Sequence, residues 1–258
     1  MSGKNYKYIY GPVPSWRLGS SLGIDPLSKS KKICSFDCAY CQIGKTDLLT
    51  DKREVFVKVR DIIEEIDSLP HIEIDYMTFS GTGEPTLAKN LGQTIKALKK
   101  IRNEKIAVIT NSSLMHRKDV QEDLLMVDFV ISKLDASTQS IFELVNRPVS
   151  TTRIDNIIKA IKEFKRYYLG KLALQIMFTE ENKKHAKEIS EISREIKPDE
   201  VQLNTPLRPC KVTPLAKSEM DIIKKYFVGL NFVSVYDTVK KTVEPISSED
   251  TFKRRGKV

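Results

Sequence analysis

The chain alternates between two patterns of apolar and polar residues. Short apolar runs, several with every second residue apolar, are typical of strands, and longer runs with an apolar residue every three or four positions are typical of amphipathic helices. The predicted strands cover 21–25, 75–81, 105–110, 128–135, 171–179, 200–205 and 232–237. The predicted helices cover 59–69, 87–101, 117–126, 138–146, 152–168, 183–196 and 217–227.

This alternation predicts an α/β protein with parallel strands joined by helical crossovers. Six strand–helix units are too few to close an eight-stranded barrel, so we expect a partial, TIM-like (β/α)6 barrel. We assign residues 1–240 to this core, including an N-terminal arm over 1–20, and residues 241–258 to a flexible basic tail. The segment 11–19, rich in proline and glycine, is expected to form a rigid arm that lines the pocket through Arg17.

Composition and charge indicate where the protein is located and what kind of partner it has. The 258 residues are 40% hydrophobic, with no apolar run near the roughly 18 to 20 residues that span a bilayer. The N-terminus MSGKNYKYIY has no apolar secretory core, so we expect a cytoplasmic protein with no membrane partner. The net charge of +9 favours a polyanionic partner, although lysine-rich surfaces are also common where solubility is the only requirement.

Three cysteines, Cys34, Cys38 and Cys41, lie within the eight residues CSFDCAYC. A cubane iron–sulfur cluster takes a thiolate on each of four irons. The remaining cysteine, Cys210, is far along the chain, so the loop predicts a 4Fe–4S cluster with one iron open to a non-protein ligand. Zinc completed by a distant histidine is an alternative, but the three histidines lie in polar or charged surroundings away from the loop. A disulfide is a weaker alternative for clustered thiols without a secretory signal.

Polar residues recur where the predicted strands end. The carboxyl ends of parallel strands meet at one edge of a sheet, which is where ligands bind in such folds. Helix capping is the alternative for several of these positions, but a mid-strand glutamine cannot cap a helix. The candidates are Glu84, Asn111, Lys133, Asp135, Gln175 and Asn204.

The cysteine loop, with Tyr40 just before its last cysteine, resembles the signature of the radical S-adenosylmethionine (radical SAM) enzymes. Four further segments are similar to one branch of that superfamily, the iron–sulfur oxidoreductases related to the archaeal tRNA wyosine-synthesis enzymes. They are GPVPSWRLGSSLGIDP (11–26), SGTGEPTL (80–87), VITNSS (108–113) and LVNRP (144–148).

The resemblance implies a radical SAM partial barrel and two cofactors, a 4Fe–4S cluster and S-adenosylmethionine. The open iron would bind the amino and carboxylate groups of S-adenosylmethionine, whose reductive cleavage gives a radical that abstracts hydrogen from substrate. Tyr40 would pack against the adenine, and the loop of Gly83 and Glu84 would hold the methionine ammonium group. The other strand-end candidates complete the expected cofactor contacts.

The implied partners are an electron donor such as ferredoxin or flavodoxin and a substrate that is a tRNA base, a protein side chain or a small metabolite. The wyosine-synthesis enzymes use extra cysteines for an auxiliary cluster, and this chain has none to spare, which argues against identical chemistry. Cys210 is a candidate hydrogen donor or a structural cysteine. The rival function is a non-catalytic iron–sulfur or zinc protein, acting as a sensor or electron carrier.

Overall fold

The structure is a computed structural model that describes residues 6–239 and 241–255. It contains ten strands, β1 (Ile9–Ser15), β2 (Gly19–Ile24), β3 (Ile33–Cys34), β4 (Leu48–Leu49), β5 (Tyr76–Phe79), β6 (Lys105–Thr110), β7 (Phe129–Lys133), β8 (Lys171–Met177), β9 (Glu200–Asn204) and β10 (Phe232–Ser234). The eight helices are α1 (Val59–Asp67), α2 (Leu91–Ile101), α3 (Lys118–Leu124), α4 (Gln139–Val145), α5 (Ile154–Lys165), α6 (Ala186–Ile196), α7 (Lys217–Lys224) and α8 (Ser248–Arg255).

Eight of the strands form one sheet in the order β1-β2-β5-β6-β7-β8-β9-β10. The pair β1–β2 is antiparallel, and every other neighbouring pair is parallel. The strands of this sheet lie side by side in the order in which they occur in the chain. The sheet curls into a half-barrel that stays open between β1 and β10. The predicted α/β class and partial barrel are confirmed.

The two faces of this sheet bury different residues. Strand side chains alternate between faces, and the outer set packs with the helices into the main core. That set includes Met77, Ile106, Val108, Val130, Leu172 and Leu174. The inner face has only a small apolar cluster, which contains Ala107, Phe129, Ile131 and Ala173 and is closed by Leu18. Further along the strands, the inward-pointing positions are polar. Their side chains therefore point into the concave side of the sheet.

The N-terminal arm is a strand, which the sequence did not predict. β1 pairs with β2 through Ile9–Ile24 and Ser15–Gly19, with an irregular register between Tyr10 and Val13. Its two prolines disfavour a central strand, but β1 lies at the edge of the sheet, where a missing N–H is tolerated. At Gly23 a β-carbon would lie 2.1 Å from the Tyr10 ring, so the two strands approach closely there.

Residues 241–258 were expected to form a flexible tail, and the structure instead has α8 packed on β1 within that range. Polar groups join the two elements. Asp250 accepts a hydrogen bond from the backbone N–H of Tyr6 at 3.0 Å, and Thr251 Oγ1 accepts one from the N–H of Gly11 at 3.0 Å. Both side chains are buried, although this segment has almost none of the apolar residues that sequence patterns rely on. The assignment of 1–240 as the core domain stays a prediction.

Among the helices in the described ranges, none combines the length and the apolar character that crossing a bilayer requires.

We expect Asp250→Ala to lower the free energy of unfolding by about 2 kcal/mol, because it leaves the buried N–H of Tyr6 without a partner. Urea denaturation followed by circular dichroism measures the change. Glu249→Ala, which removes an exposed contact to Lys253 on the same helix, is the control and should cost only a few tenths of a kcal/mol. Equal effects of the two substitutions would show that α8 is not docked as described.

Candidate functional site

The cysteine loop begins at β3, which pairs with β4 in a short parallel ladder. The N–H of Cys41 bonds to the carbonyl of Cys38 at 3.0 Å, which turns the chain so that both thiols belong to one compact loop. All three cysteine residues of the motif are half-buried. In the described residues, no three His, Cys, Asp or Glu side chains gather closely enough to hold a single metal ion.

The segment that follows α4 supports the loop from one side. The N–H groups of Asp37 and Ala39 bond to the carbonyls of Arg147 and Val145, at 3.0 and 2.9 Å. Phe36 packs edge-on against Phe142, with ring centroids 5.2 Å apart. The position of the thiols is therefore set by backbone hydrogen bonds to a distant part of the chain.

Asn146 is a site residue that the sequence did not reveal. Its amide nitrogen lies 3.5 Å from the Sγ of Cys38 and donates to Asp135 Oδ2 at 2.8 Å, close to the Tyr40 hydroxyl at 3.3 Å. In the sequence, Asn146 follows a predicted helix and lies two residues before a proline, so the pattern there indicates only the end of a helix.

Asn111 supports the loop from the other side. Its Nδ2 donates to Ser35 Oγ at 2.8 Å and lies 3.6 Å from the Sγ of Cys34. Amide donors that face thiol sulfur tune iron–sulfur centres, and Cys34 and Cys38 each have one. The structure thus places Asn111 beside the metal-binding loop.

The Glu84 side chain is held by hydrogen bonds from the protein itself, and its contact with the methionine ammonium group stays a prediction. Its carboxylate accepts hydrogen bonds from the Thr86 N–H and hydroxyl at 3.1 and 2.7 Å, from the Thr110 hydroxyl at 2.6 Å and from the Asn111 N–H at 2.7 Å. These four protein donors, three to Oε1 and one to Oε2, hold the buried carboxylate in place. Burial raises the pKa of Glu84, against these hydrogen bonds, which lower it. The side chain joins the loop after β5 to the end of β6.

Gly83 brings two main chains into direct contact. It forms a backbone bridge with Ile33, the residue before the first cysteine, and a β-carbon at Gly83 would lie only 1.7 Å from the Ile33 carbonyl oxygen. Only glycine fits there without moving the cysteine loop.

Asp135 also proves to be a support. Its side chain is fully buried and accepts hydrogen bonds from the Tyr40 hydroxyl, from Asn146 and from the Met177 N–H at 2.7 Å. Burial, followed by the charge of Asp135, raises the pKa of Tyr40, so its hydroxyl stays protonated and donates. The carboxylate fixes the tyrosine ring instead of facing the cavity.

Lys133 and Gln175 lie side by side on the inner face of the sheet, paired across β7 and β8. The Lys133 ammonium lies 3.5 Å from both Gln175 Oε1 and Asp135 Oδ1, and 5.0 Å from the centre of the Tyr40 ring. The Gln175 Nε2 is buried and has no hydrogen-bond partner among the described residues. An unpaired buried amide in a cavity wall indicates that a ligand completes the site.

The electrostatic environment of the cysteine loop favours a bound cation. Burial raises the pKa of Cys34, and burial together with the nearby Cys41 raises the pKa of Cys38 to about 11. Burial acts to lower the pKa of Lys32, but the thiols, Cys41 above all, outweigh it and raise that pKa. Buried thiolates need cationic partners, and metal ions supply them most effectively.

A cavity of about 270 Å³ opens at the carboxyl edge of the sheet, beside the cysteine loop. Its walls include five of the predicted residues, Tyr40, Cys41, Lys133, Gln175 and Asn204, and also Arg17 of the N-terminal arm. Cys210 is not among the lining residues; its thiol donates to the Val212 carbonyl at 3.2 Å. The structure thus does not bring Cys210 to the cavity, and it adds Arg208, Arg254 and Arg255.

The profile of the Radical SAM superfamily matches residues 30–192, which include the cysteine loop and four of the eight strands of the main sheet. The chain belongs to the radical SAM superfamily. Two curated relatives narrow the family further, a UPF0026 protein of Synechocystis sp. and one of Methanocaldococcus jannaschii. The Synechocystis protein is 39% identical over 78% of this chain and 76% of its own length. The Methanocaldococcus jannaschii protein is 36% identical over 90% of this chain and 73% of its own length. The chain is thus a member of the UPF0026 family, whereas its relation to the wyosine-synthesis enzymes stays a prediction.

A region of a protein named GTPase Obg, from Brachyspira hyodysenteriae, is 36% identical over 95% of this chain but only 38% of that protein's length. Among solved structures, Streptococcus suis SuiB bound to its precursor peptide SuiA superimposes with a TM-score of 0.64 at 17% identity. The match covers 84% of this chain and 49% of that one. A radical SAM methyltransferase from Sphaerobacter thermophilus has a TM-score of 0.63 at 11% identity, with coverages of 83% and 65%. These likenesses establish the fold.

Membership of the superfamily implies an enzyme with a 4Fe–4S cluster and S-adenosylmethionine as cofactors. The residues present fit both groups. Three thiols on one loop would supply cluster ligands, and two of them face amide N–H groups. The unpaired amide of Gln175 lies in the adjoining cavity, where a polar cofactor would satisfy it.

We expect Gly83→Ala to destabilise the fold by about 2 to 3 kcal/mol, because the added methyl group meets a backbone carbonyl that cannot rotate away. The substitution should also lower the amount of iron that the protein retains after reconstitution. Gly229→Ala is the control. It has a positive φ of 89° with open space around the β-carbon, and should cost only about 1 kcal/mol through backbone strain. Chemical denaturation and iron content measure both effects; full iron retention in Gly83→Ala would contradict the assigned contact.

Proposed function

We propose that the protein holds a 4Fe–4S cluster on Cys34, Cys38 and Cys41 and uses it to cleave S-adenosylmethionine reductively, so that hydrogen is abstracted from a substrate. The observation that carries this proposal is the junction of the cysteine loop and the cavity, since Tyr40 and Cys41 line it directly. When bound, the two cofactors supply the electron transfer and the radical chemistry. The protein binds, orients and shields them.

Each cavity residue then has a defined task. The ring of Tyr40, fixed by Asp135, offers a flat surface for the adenine. Gln175 Nε2 donates to a polar atom of S-adenosylmethionine, and Lys133 and Asn204 lie on the same wall. The methionine ammonium group would contact backbone carbonyls of the loop at 81–83, because four protein donors already engage the Glu84 carboxylate. Held in this way, the reacting carbon lies close to the substrate and away from water.

The substrate class that we favour is a tRNA base, on the resemblance to the wyosine-synthesis branch and on the net charge of +9. A polyanion is attracted to such a surface at low ionic strength. The rival, a non-catalytic iron–sulfur protein, would bind a cluster through the same thiols without consuming S-adenosylmethionine.

Reconstitution separates these two functions. We expect the protein, loaded anaerobically with iron and sulfide and then reduced with dithionite, to convert S-adenosylmethionine into 5′-deoxyadenosine and methionine. Cys38→Ala should lower this yield at least about a hundredfold, since the cluster loses one of its three protein ligands. Cys210→Ala is the matched control and should retain wild-type yield. Product from Cys38→Ala would overturn the metal assignment; a stable cluster in the wild type without product would favour the rival.

The outer side of the cysteine loop suits an acidic electron donor such as ferredoxin or flavodoxin. A pocket of about 590 Å³ lies there, between the loop and α8, and Lys29, Lys45 and Lys253 at its rim are exposed. Lysines around a redox centre steer an acidic partner toward it through long-range attraction. The donor would approach through this pocket, which shares only Ile43 and Arg254 with the cavity beside the cysteine loop.

We expect Lys29→Glu combined with Lys45→Glu to slow reduction by flavodoxin about tenfold at low salt, with a much smaller effect at high salt, because the charge attraction is screened. Stopped-flow absorbance of the cluster measures the rate. Lys96→Glu, on an exposed position of α2, is the control. Reduction by dithionite should be unchanged in all variants, and equal slowing by dithionite would mean that the substitutions damaged the cluster.

A further inference from the structure

We propose that an arginine cluster, Arg17, Arg208 and Arg255, binds a phosphate group of the substrate at the far side of the cofactor cavity. This inference rests on the proposed function and names the chemical class of its substrate. It concerns residues from the N-terminal arm, the loop after β9 and α8, three parts of the chain that the cofactor assignment does not use.

The cavity wall is strongly cationic. Five basic side chains line it, and no aspartate or glutamate does. Two of the five have nearby carboxylates elsewhere, Lys133 with Asp135 at 3.5 Å and Arg254 with Asp250 at 3.9 Å. In the part of the chain that the structure describes, the three arginines of the cluster have no ion pair.

Most of the hydrogen-bonding capacity of the three arginines is also unused. The guanidinium of Arg208 donates to the Arg255 carbonyl, and that of Arg17 lies 5.0 Å from the centre of the Trp16 ring. The Nε of Arg17 is buried without any partner among the described residues, as is the Nε2 of Gln175 on the facing wall. Buried donors of this kind indicate an acceptor that the folded chain does not itself supply.

The three like charges of the cluster disfavour one another. Burial, followed by the charges of Arg208 and Arg255, lowers the pKa of Arg17 to about 10. Burial and the charge of Arg255 lower that of Arg208 to about 10 as well. Like charges held together in a partly buried space destabilise a fold unless an anion neutralises them. Sites that break stability rules in this way are often functional.

The position of the cluster favours the substrate over the carboxylate of S-adenosylmethionine. All three arginines also line a smaller adjoining pocket of about 120 Å³, together with Trp16 and Leu207. Tyr40, Lys133 and Gln175 belong to the first cavity alone. The cationic surface therefore continues beyond the wall assigned to the cofactor. Guanidinium groups bind phosphate through paired hydrogen bonds, and three of them match a dianion better than one carboxylate.

The test uses inorganic pyrophosphate as the probe and the reconstituted protein saturated with S-adenosylmethionine. We expect calorimetric binding of pyrophosphate, accompanied by a change in the fluorescence of Trp16, the only tryptophan in the chain. Arg17→Gln and Arg208→Gln should each weaken binding about tenfold or more, because each removes a charged donor pair. Arg60→Gln, on the exposed face of α1, is the control and should bind as the wild type does. Arg17→Lys keeps the charge and should give an intermediate affinity.

Folding and function are checked separately. The Gln variants should melt at the same or a higher temperature than the wild type without pyrophosphate, since each removes an uncompensated charge. Pyrophosphate should raise the melting temperature of the wild type and of Arg60→Gln, and that of Arg17→Gln and Arg208→Gln much less. Competition by a nucleoside monophosphate would identify a small phosphorylated substrate, and competition by tRNA alone would identify an RNA phosphate.

The cluster assignment fails if the wild type does not bind pyrophosphate, or if the Gln variants lose affinity for S-adenosylmethionine as strongly as for pyrophosphate. In the latter case the arginines serve the cofactor carboxylate. Substrate-free formation of 5′-deoxyadenosine should be unchanged in the control variant, Arg60→Gln. If pyrophosphate binds through the cluster but the wild type never cleaves S-adenosylmethionine, the proposed function fails while the anion site stands.

Discussion

The main-chain contact between Gly83 and Ile33 is the constraint on which the site depends. The cysteine loop has almost no secondary structure of its own, only a two-residue ladder, so its shape comes from what it touches. At Gly83 the loop after β5 approaches to a distance that excludes any side chain. From that contact follow the placement of Cys34 beside Asn111 and the opening of the loop onto the cavity.

A second set of interactions converts this backbone arrangement into a rigid site. Two buried carboxylates do most of this work, Glu84 by joining two strand ends and Asp135 by fixing Tyr40. Both accept several hydrogen bonds from the protein, whereas Gln175 on the cavity wall has unused capacity. A buried carboxylate that accepts several hydrogen bonds fixes the positions of its neighbours. A buried amide with a free donor is able to bind a ligand.

The sequence predicted the parts of this molecule that depend on local pattern. Strand and helix order, the partial barrel and the three-cysteine motif all follow from periodicity or spacing. From the sequence alone, Glu84 and Asp135 were assigned to the cofactor. A strand end shows only that a residue is near the site. Hydrogen-bond partners far along the chain decide what its side chain does. β1 and α8 were missed because prolines and polar residues hide elements whose docking depends on backbone and polar contacts. Arg208 and Arg255 could not be found since nothing local brings them to Arg17.

The position of Arg254 on α8 joins the two sides of the protein. Its side chain lines both the substrate cavity and the outer pocket beside the cysteine loop, and its guanidinium bonds to the Lys7 carbonyl. The helix is thus a shared wall between the face proposed for the electron donor and the face proposed for the substrate. A ligand that shifts this wall on one side changes affinity on the other, and thermodynamic linkage makes that effect reciprocal. Delivery of an electron and occupation of the cavity are therefore open to coupling through a single helix.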